Sequence, residues 1–413
     1  MAHTTQEEKN GRLKTGLSLE DAVRVITEKA APLGLESGAP ENLLGRTLAR
    51  NATACLDQPP FNRSPLDGYA LRSADTDGAS RERPARLFVV DTVYAGNVAR
   101  VPVGLGQAVR IMTGAMLPPG CDCVVRQEDT DMGVPEVRIF TTLRPHDNFV
   151  DRGEDFRAGA CLLPAGSRLD AAAVGVLSSA GITEIPVKRR PRVRLLSTGD
   201  EVVAPSVRPL PPGKIYGANL PLLLARLREL GFSDVSGELV GDEPQMVADT
   251  MRRLLADCDV LLTTGGVSVG EKDIFHEAIP LLGAEQIFWK IKLKPGSPAM
   301  FSTYNGKPIL SLSGNPFAAF TTFELLVRPL LAAMSGESWL LPRREKAVLS
   351  TPFSKASKSR RFIRGRHENG YVSLPEGHSS GMLASLVGCN CLVDIPAGSG
   401  PLKAGELVDV LLL

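Results

Sequence analysis

Val260-Leu261-Leu262-Thr263-Thr264-Gly265-Gly266-Val267-Ser268-Val269-Gly270-Glu271-Lys272-Asp273 is the stretch on which the reading of this chain turns. Its apolar, partly β-branched opening reads as a strand buried on both faces, the pattern of a parallel sheet. The glycines that follow permit positive φ and let a ligand approach the main chain closely. Successive free N–H groups in such a loop make a cradle for an anion. A nucleotide P-loop needs Gly, four residues, then Gly-Lys-Ser/Thr. Gly265 and Gly270 have that separation, but Glu271 stands at the lysine position and Asp273 replaces the hydroxyl residue. An acid there repels a β/γ-phosphate unless a metal ion lies between them. The Gly-x-Gly-x-x-Gly dinucleotide fingerprint is absent as well. From its own residues the loop stands as either a ligand site or a tight strand-to-helix connection.

The flanking sequence repeats the strand, turn, helix rhythm. Val193-Arg194-Leu195-Leu196 leads into Ser197-Thr198-Gly199-Asp200-Glu201, and residues 219–230 form a leucine-rich helix stopped by Gly231. Asp242-Glu243-Pro244 opens another helix with a capping acid and an early proline. This alternation predicts an α/β unit with a largely parallel sheet. Ligands in such sheets bind beyond the carboxyl ends of the strands, where Thr198-Gly199-Asp200-Glu201 and Thr264-Gly265-Gly266 both fall. Trp289-Lys290-Ile291-Lys292-Leu293-Lys294 alternates, which sets its three lysines on one strand face. A lysine row usually marks a solvated sheet edge; beside an anion cradle it serves equally as a set of ligand cations. Leu310-Ser311-Leu312-Ser313-Gly314-Asn315-Pro316 is a further strand-to-helix turn, ahead of an apolar helix over 317–334.

At 413 residues the chain has room for two to four domains, and its 40 glycines and 31 prolines favour several small β-rich units. A net charge of +1 supplies no bulk attraction to nucleic acid or an anionic membrane. No apolar run reaches the roughly 18 residues of a membrane span, and residues 1–14 are polar without a signal-peptide core. A cytoplasmic protein with no nucleic-acid or membrane partner is expected. Seven cysteines, an odd number, suit a reducing compartment. Cys121-x-Cys123 and Cys389-x-Cys391 are spaced too tightly for a zinc Cys-x-x-Cys pair.

Ser18 caps a predicted helix, with Asp21 three residues on, and a second helical piece covers 43–49. In Gln58-Pro59-Pro60 through Asp67-Gly68-Tyr69-Ala70-Leu71 the prolines exclude regular helix and Asp67-Gly68 signals a turn. Short β runs between 86 and 140 suggest a small barrel or sandwich, in which Thr113-Gly114 either donates to a ligand or closes a turn. Asn148 to Asp155 gathers three carboxylates and an arginine in a charged turn. Residues 171–181 form a small-residue helix ended by glycine. After Pro342 the chain returns to short strands, another barrel or sandwich.

Taken in order, Ser64-Pro65-Leu66-Asp67-Gly68-Tyr69-Ala70, Ile111-Met112-Thr113-Gly114, Arg152-Gly153-Glu154-Asp155, Ser197-Thr198-Gly199-Asp200-Glu201, Gly265-Gly266-Val267-Ser268-Val269-Gly270, Lys294-Pro295-Gly296 and Gly314-Asn315-Pro316 resemble the molybdopterin molybdenumtransferases, the MoeA family that includes the gephyrin E domain. Each motif is weak alone; the ordered set is specific. The resemblance implies an L-shaped, multidomain α/β plus β fold. Its parts would be an elongated N-terminal scaffold and dimerisation domain (1–50 with 150–190), an inserted β-rich domain (51–149), a three-layer α/β molybdopterin-binding domain with a parallel-rich sheet (191–340) and a C-terminal β-barrel (341–413). It implies a homodimer that takes adenylylated molybdopterin and molybdate, releases AMP and leaves molybdenum on the pterin dithiolene. The implied cation is Mg2+, with Zn2+ or another divalent ion as substitutes. The molybdopterin adenylyltransferase and recipient molybdoenzymes are implied as further partners.

The same resemblance implies roles for residues. Asp67, Asp155, Glu201, Asp242 and Asp273, with Thr113, would form the catalytic set, and Asp242, Asp273 and Glu201 would ligate the metal. Lys290 and Lys294 would bind phosphate or oxyanion. Thr198, Gly199, Gly265, Gly266, Gly270 and Asn315 would hold the pterin nucleotide, with Ser268, Arg364 and Ser380 completing a molybdate pocket. In the family the Asp67 and Thr113 domain faces the partner subunit's α/β domain. The chain departs from the family pattern at Gly217, where aspartate is usual, at Ser313, where proline is usual, and at Ser359, where arginine often stands. A molybdopterin adenylyltransferase shares the Gly-Gly loop, and a non-catalytic pterin-binding scaffold is the reading from another class.

Overall fold

The computed structural model describes residues 14–267 and 274–413; Ser268, Gly270 and Asp273 lie outside them. The chain divides into two compact units, one ending at Leu35 and resuming over Lys188–Leu413, the other Glu36–Val187.

The first unit is built on a seven-stranded sheet in the order Lys14–Leu17, Glu285–Ile291, Met300–Tyr304, Lys307–Leu312, Val260–Thr264, Val193–Thr198, Val235–Val240. Six strands run in one direction and Met300–Tyr304 runs against them. The predicted parallel-rich sheet is present; the reversed strand, a hairpin partner of Lys307–Leu312, is an addition. Neighbours such as Leu195 and Leu196 point to opposite faces, so each face carries its own core. Leu195, Leu262 and Leu310 pack with Leu223, Phe317 and Leu330 on one side. Leu196, Leu261 and Ile309 pack with Val247, Met251 and Phe275 on the other. The helices responsible are Asn219–Glu229, Pro244–Ala256, Ile274–Leu282, and a run through Pro316–Thr322, Phe323–Val327 and Arg328–Ser335. Leu19–Lys29 joins them, capped by Ser18, whose hydroxyl accepts from the Asp21 N–H at 3.0 Å. Its Leu19, Ala22 and Ile26 stripe enters the first core, so this helix packs with the α/β sheet.

Pro316–Ser335, the apolar helix expected over 317–334, is 20 residues long and apolar enough to cross a membrane by length and composition; 94% of its apolar 18-residue window is buried inside the fold. Its one acid is Glu324, fully buried. Arg226 Nε reaches Glu324 at 2.7 Å and Arg328 Nη1 at 2.7 Å, so one carboxylate serves two cations. Beyond this helix, Arg344–Leu349, Tyr371–Ser373, Arg361–Glu368, Cys391–Ile395 and Leu407–Leu412 close into a five-stranded barrel around Leu349, Ile363, Val393 and Val410.

The second unit holds a five-stranded sheet ordered Cys123–Arg126, Gly68–Leu71, Gln107–Ile111, Ala85–Val93, Glu136–Ile139, with one parallel pair among antiparallel ones. Asp67-Gly68 does not make the predicted turn. Gly68 opens the strand Gly68–Leu71, and a Cβ there would run into the carbonyl oxygen of Val125. The glycine answers a close approach of two strands. Asp170 caps the helix Ala171–Ser179 through the Ala173 N–H at 2.8 Å.

Removing the shared acid should be costly. Glu324→Ala leaves the buried Arg328 without a carboxylate partner among the described residues and the half-buried Arg226 with Glu229 alone, and denaturant unfolding should show a loss of about 3–5 kcal/mol. Lys346→Ala, which breaks an exposed pair with Asp409, should cost under about 1 kcal/mol; equal losses would contradict the assignment. A second expectation concerns acid. Burial opposes ionisation of Asp259, but hydrogen bonds from Arg189 and from the main chain and side chain of Arg192 outweigh it and hold the carboxyl at about 2. The folded value lies below the unfolded one, so this contribution is complete above about pH 4 and lost as pH falls toward 2. Asp259→Asn should therefore lose less stability than the parent between those pH values; identical slopes in pH-dependent unfolding would refute this.

Candidate functional site

At the carboxyl ends of the aligned strands the first unit opens a cleft of about 1340 Å³, bounded by the strand-end turns and by the barrel. Three turns form its floor: Thr198-Gly199, Gly265-Gly266 and Ser313-Gly314-Asn315. They are tied together below the surface. Asn219 Nδ2 donates to Thr264 Oγ1 and to the Gly314 carbonyl, each at 2.8 Å, and Thr264 Oγ1 donates to the Ser313 carbonyl at 2.9 Å. Gly265 has φ +106°, and a Cβ would sit 2.5 Å from the Thr198 carbonyl oxygen. Only glycine lets these two strand ends come together, leaving bare main chain toward the cleft.

One end of the cleft is acidic. Asp200 and Asp242 cap each other's turns, the Asp200 N–H donating to Asp242 Oδ2 and the Asp242 N–H to Asp200 Oδ1, both at 3.0 Å. Asp242 Oδ1 is buried without a hydrogen-bond partner among the described residues, as is Thr198 Oγ1. Such oxygens call for a ligand, an ion or water. Glu201 lines the same end.

The other end is cationic: Lys292, Lys294, Lys355 and Arg361 all line it. Lys294 is held by the barrel, since its N–H donates to the Arg360 carbonyl and its carbonyl accepts from the Phe362 N–H, each at 2.9 Å. Arg360 is fixed in turn by a bidentate pair with Asp394 (2.8 and 2.6 Å) and by Glu20.

The cleft brings together Thr198, Gly199, Glu201, Asp242, Gly265, Gly266, Lys294, Asn315 and Ser380 of the residues singled out from sequence. Lys290 is placed outside that lining. Its φ is +63° and the strand ends at Ile291, so the lysine alternation breaks; the Lys290 ammonium lies 3.9 Å over the Trp289 ring instead of in the cleft lining. Arg364 is fully buried behind the wall. It donates to the Ser379 carbonyl at 2.7 Å and to that of Met382, and stacks 3.7 Å from the Phe317 ring centre. It shapes the segment that carries Ser380 and does not itself line the cleft. Asp67, Thr113 and Asp155 belong to the second unit. Asp67 Oδ1 accepts from both the N–H and the hydroxyl of Thr113 at 2.7 Å, and these bonds hold its pKa below the ordinary value. Asp155 is exposed.

Sequence reasoning passed over Lys355, Arg361 and His378. The first two sit in a basic run that reads as a solvated linker until the barrel folds it onto the cleft. His378 lines the cationic end, where burial first and then Arg364, Lys355 and Arg361 lower its pKa. Gly217, Ser313 and Ser359, the three departures, all line the cleft.

Comparison with known proteins follows this anatomy. Residues 17–181 match the MoeA N-terminal region (domain I and II), 194–333 a probable molybdopterin binding domain, and 346–413 the MoeA C-terminal region (domain IV). A molybdopterin molybdenumtransferase from Staphylococcus epidermidis is 33% identical over 97% of this chain and 96% of its own. One from Staphylococcus aureus is 34% identical over 96% and 95%. A molybdopterin biosynthesis MoeA protein from Pyrococcus horikosii has a crystal structure that superposes with a TM-score of 0.82 at 31% identity, covering 96% of this chain and 99% of that one. With three consecutive domain matches and full-length relatives, the chain belongs to the MoeA family of molybdopterin molybdenumtransferases.

Proposed function

We propose that this chain inserts molybdenum into molybdopterin, taking adenylylated molybdopterin and molybdate and releasing AMP. The observation that carries the reading is the polarity of the cleft: bare glycine main chain in the middle, a carboxylate oxygen of Asp242 with no hydrogen-bond partner among the described residues at one end, and lysine and arginine cations at the other. The Gly265 and Gly266 turn offers main chain to the pyrophosphate. Lys292, Lys294 and Arg361 have no carboxylate partner among the described residues, which suits them to phosphate and to the molybdate dianion.

A divalent cation is part of this proposal. Among the described residues no three His, Cys, Asp or Glu side chains gather as a metal cage. Magnesium, however, is commonly held by one or two carboxylates together with substrate phosphates. Asp242, with its buried open oxygen, fits that demand, with Glu201 nearby in the lining. Such an ion would neutralise phosphoryl charge when bound. Asp273, outside the described residues, is proposed as a further ligand. The homodimer is proposed on family grounds, as are the roles of Asp67, Thr113 and Asp155. For Asp67, the taut pair with Thr113 leaves Oδ2 open to a ligand among the described residues.

The test is AMP release by the purified chain supplied with adenylylated molybdopterin, molybdate and magnesium. Lys294→Ala and Asp242→Asn should each lower the rate by about 100-fold while remaining folded, the scale of losing one charge-stabilising group. Full turnover in both variants would remove the cleft from the reaction. Gly265→Ala should weaken AMP binding as well, because it forces the main chain away from Thr198; unchanged affinity in a titration would contradict the cradle.

A further inference from the structure

We propose that Trp289 is a positioning residue for this reaction: its indole N–H keeps the Val267 carbonyl turned into the fold, so that the Gly265–Gly266 turn offers N–H groups to phosphate and withholds a repelling carbonyl oxygen. This rests on the turn receiving the substrate's phosphate, as proposed above, and adds what holds the turn in that orientation.

The turn is fixed along its length by different partners. Thr264 is tied by Asn219 and by the Ser313 carbonyl. Gly266 has φ +41°, and a Cβ there would lie 2.3 Å from Ile274 Cγ2, so the helix Ile274–Leu282 sits directly against it. The Gly266 carbonyl accepts from the Phe275 N–H at 3.3 Å, and the Val267 carbonyl accepts from Trp289 Nε1 at 3.3 Å. In a trans peptide the N–H points opposite to the carbonyl. The Val267 N–H therefore faces away from that helix, and Val267 lines the cleft. Among the described residues no acceptor takes the Gly266 or the Val267 N–H, which leaves both for an anion. Among the same residues Trp289 is the one donor to the Val267 carbonyl. Without it that oxygen is free to turn toward the phosphate.

The indole is placed for this by its neighbours. Trp289 pairs with Met300 across the sheet and packs on the same core as Val267 and Phe275. Its strand stands three places from Val260–Thr264, roughly 14 Å at the usual strand spacing, so the chain beyond Gly266 leans back across the sheet face to meet it. His276 packs against the indole with ring centroids 4.5 Å apart and planes at 87°. The Lys290 ammonium lies 3.9 Å from the ring centre. A cation on the ring face draws electron density from the indole and strengthens its N–H as a donor. Lys290, outside the cleft lining, thus reaches the turn through the ring.

The experiment is calorimetric titration of the full chain with AMP and, by displacement, with adenosine, which lacks the phosphate. Trp289→Phe keeps a ring for His276 and Lys290 and removes the donor. It should weaken AMP about fivefold, the scale of one net hydrogen bond, and leave adenosine unchanged. The chain has two tryptophans, so Trp339→Phe makes Trp289 the sole emitter, and AMP should shift its fluorescence where adenosine does not. The clasp is overturned if Trp289→Phe binds AMP as the parent does, if it weakens AMP and adenosine equally, or if AMP leaves the Trp289 emission unmoved. A parent that does not prefer AMP to adenosine overturns the phosphate turn and the clasp together. AMP release by the parent with Trp289-independent AMP binding would sink the clasp alone. Phosphate-selective weakening in Trp289→Phe, without AMP release by the parent, would sink the proposed reaction and leave the clasp standing.

Discussion

The in-register parallel pairing of Val193–Thr198, Val260–Thr264 and Lys307–Leu312 is the constraint on which the rest depends. It ends three strands at one level, so that three turns emerge side by side. Burial on both faces prevents the strands from slipping, because a one-residue slip would turn every leucine toward the wrong core. With the strand ends fixed, Asn219 and Thr264 can stitch the turns from below, and Gly265 can pass the Thr198 carbonyl where no side chain fits. The floor of the cleft is therefore preformed.

The barrel completes the cleft through main-chain hydrogen bonds. Lys294 is bracketed by Arg360 and Phe362, and Arg360 is anchored by Asp394 and Glu20. The lysine's position therefore depends on a strand far away in sequence and on an acid from the helix Leu19–Lys29. This physical link makes one site of the α/β sheet and the barrel. It also accounts for the cationic wall, since the same strand brings Arg361 into the cleft.

Much of this was legible in the sequence wherever a local pattern decides structure. The doubly buried strand Val260–Thr264, the Ser18 cap and the strand-to-helix turns follow from periodicity and capping chemistry. The family likeness then ordered the motifs. What was not legible depended on long-range contact. Lys290 looked like its neighbours until its positive φ turned it onto Trp289. Gly68 looked like a turn residue because its reason, the Val125 carbonyl, is 57 residues away in sequence. Arg364 looked like a ligand because a motif cannot tell a side chain that lines a pocket from one that braces it. Lys355 and Arg361 carried no periodic signal, and only barrel closure gives them a role.

The account stands or falls on where the two substrates sit. A crystal structure of the chain soaked with AMP and molybdate, with the molybdenum located by its anomalous scattering, tests this most directly. The predicted result is molybdenum beside Lys294 and Ser380 with the AMP phosphate at the Gly265–Gly266 turn. Molybdenum at the Asp242 end, or both ligands outside the cleft, would contradict it.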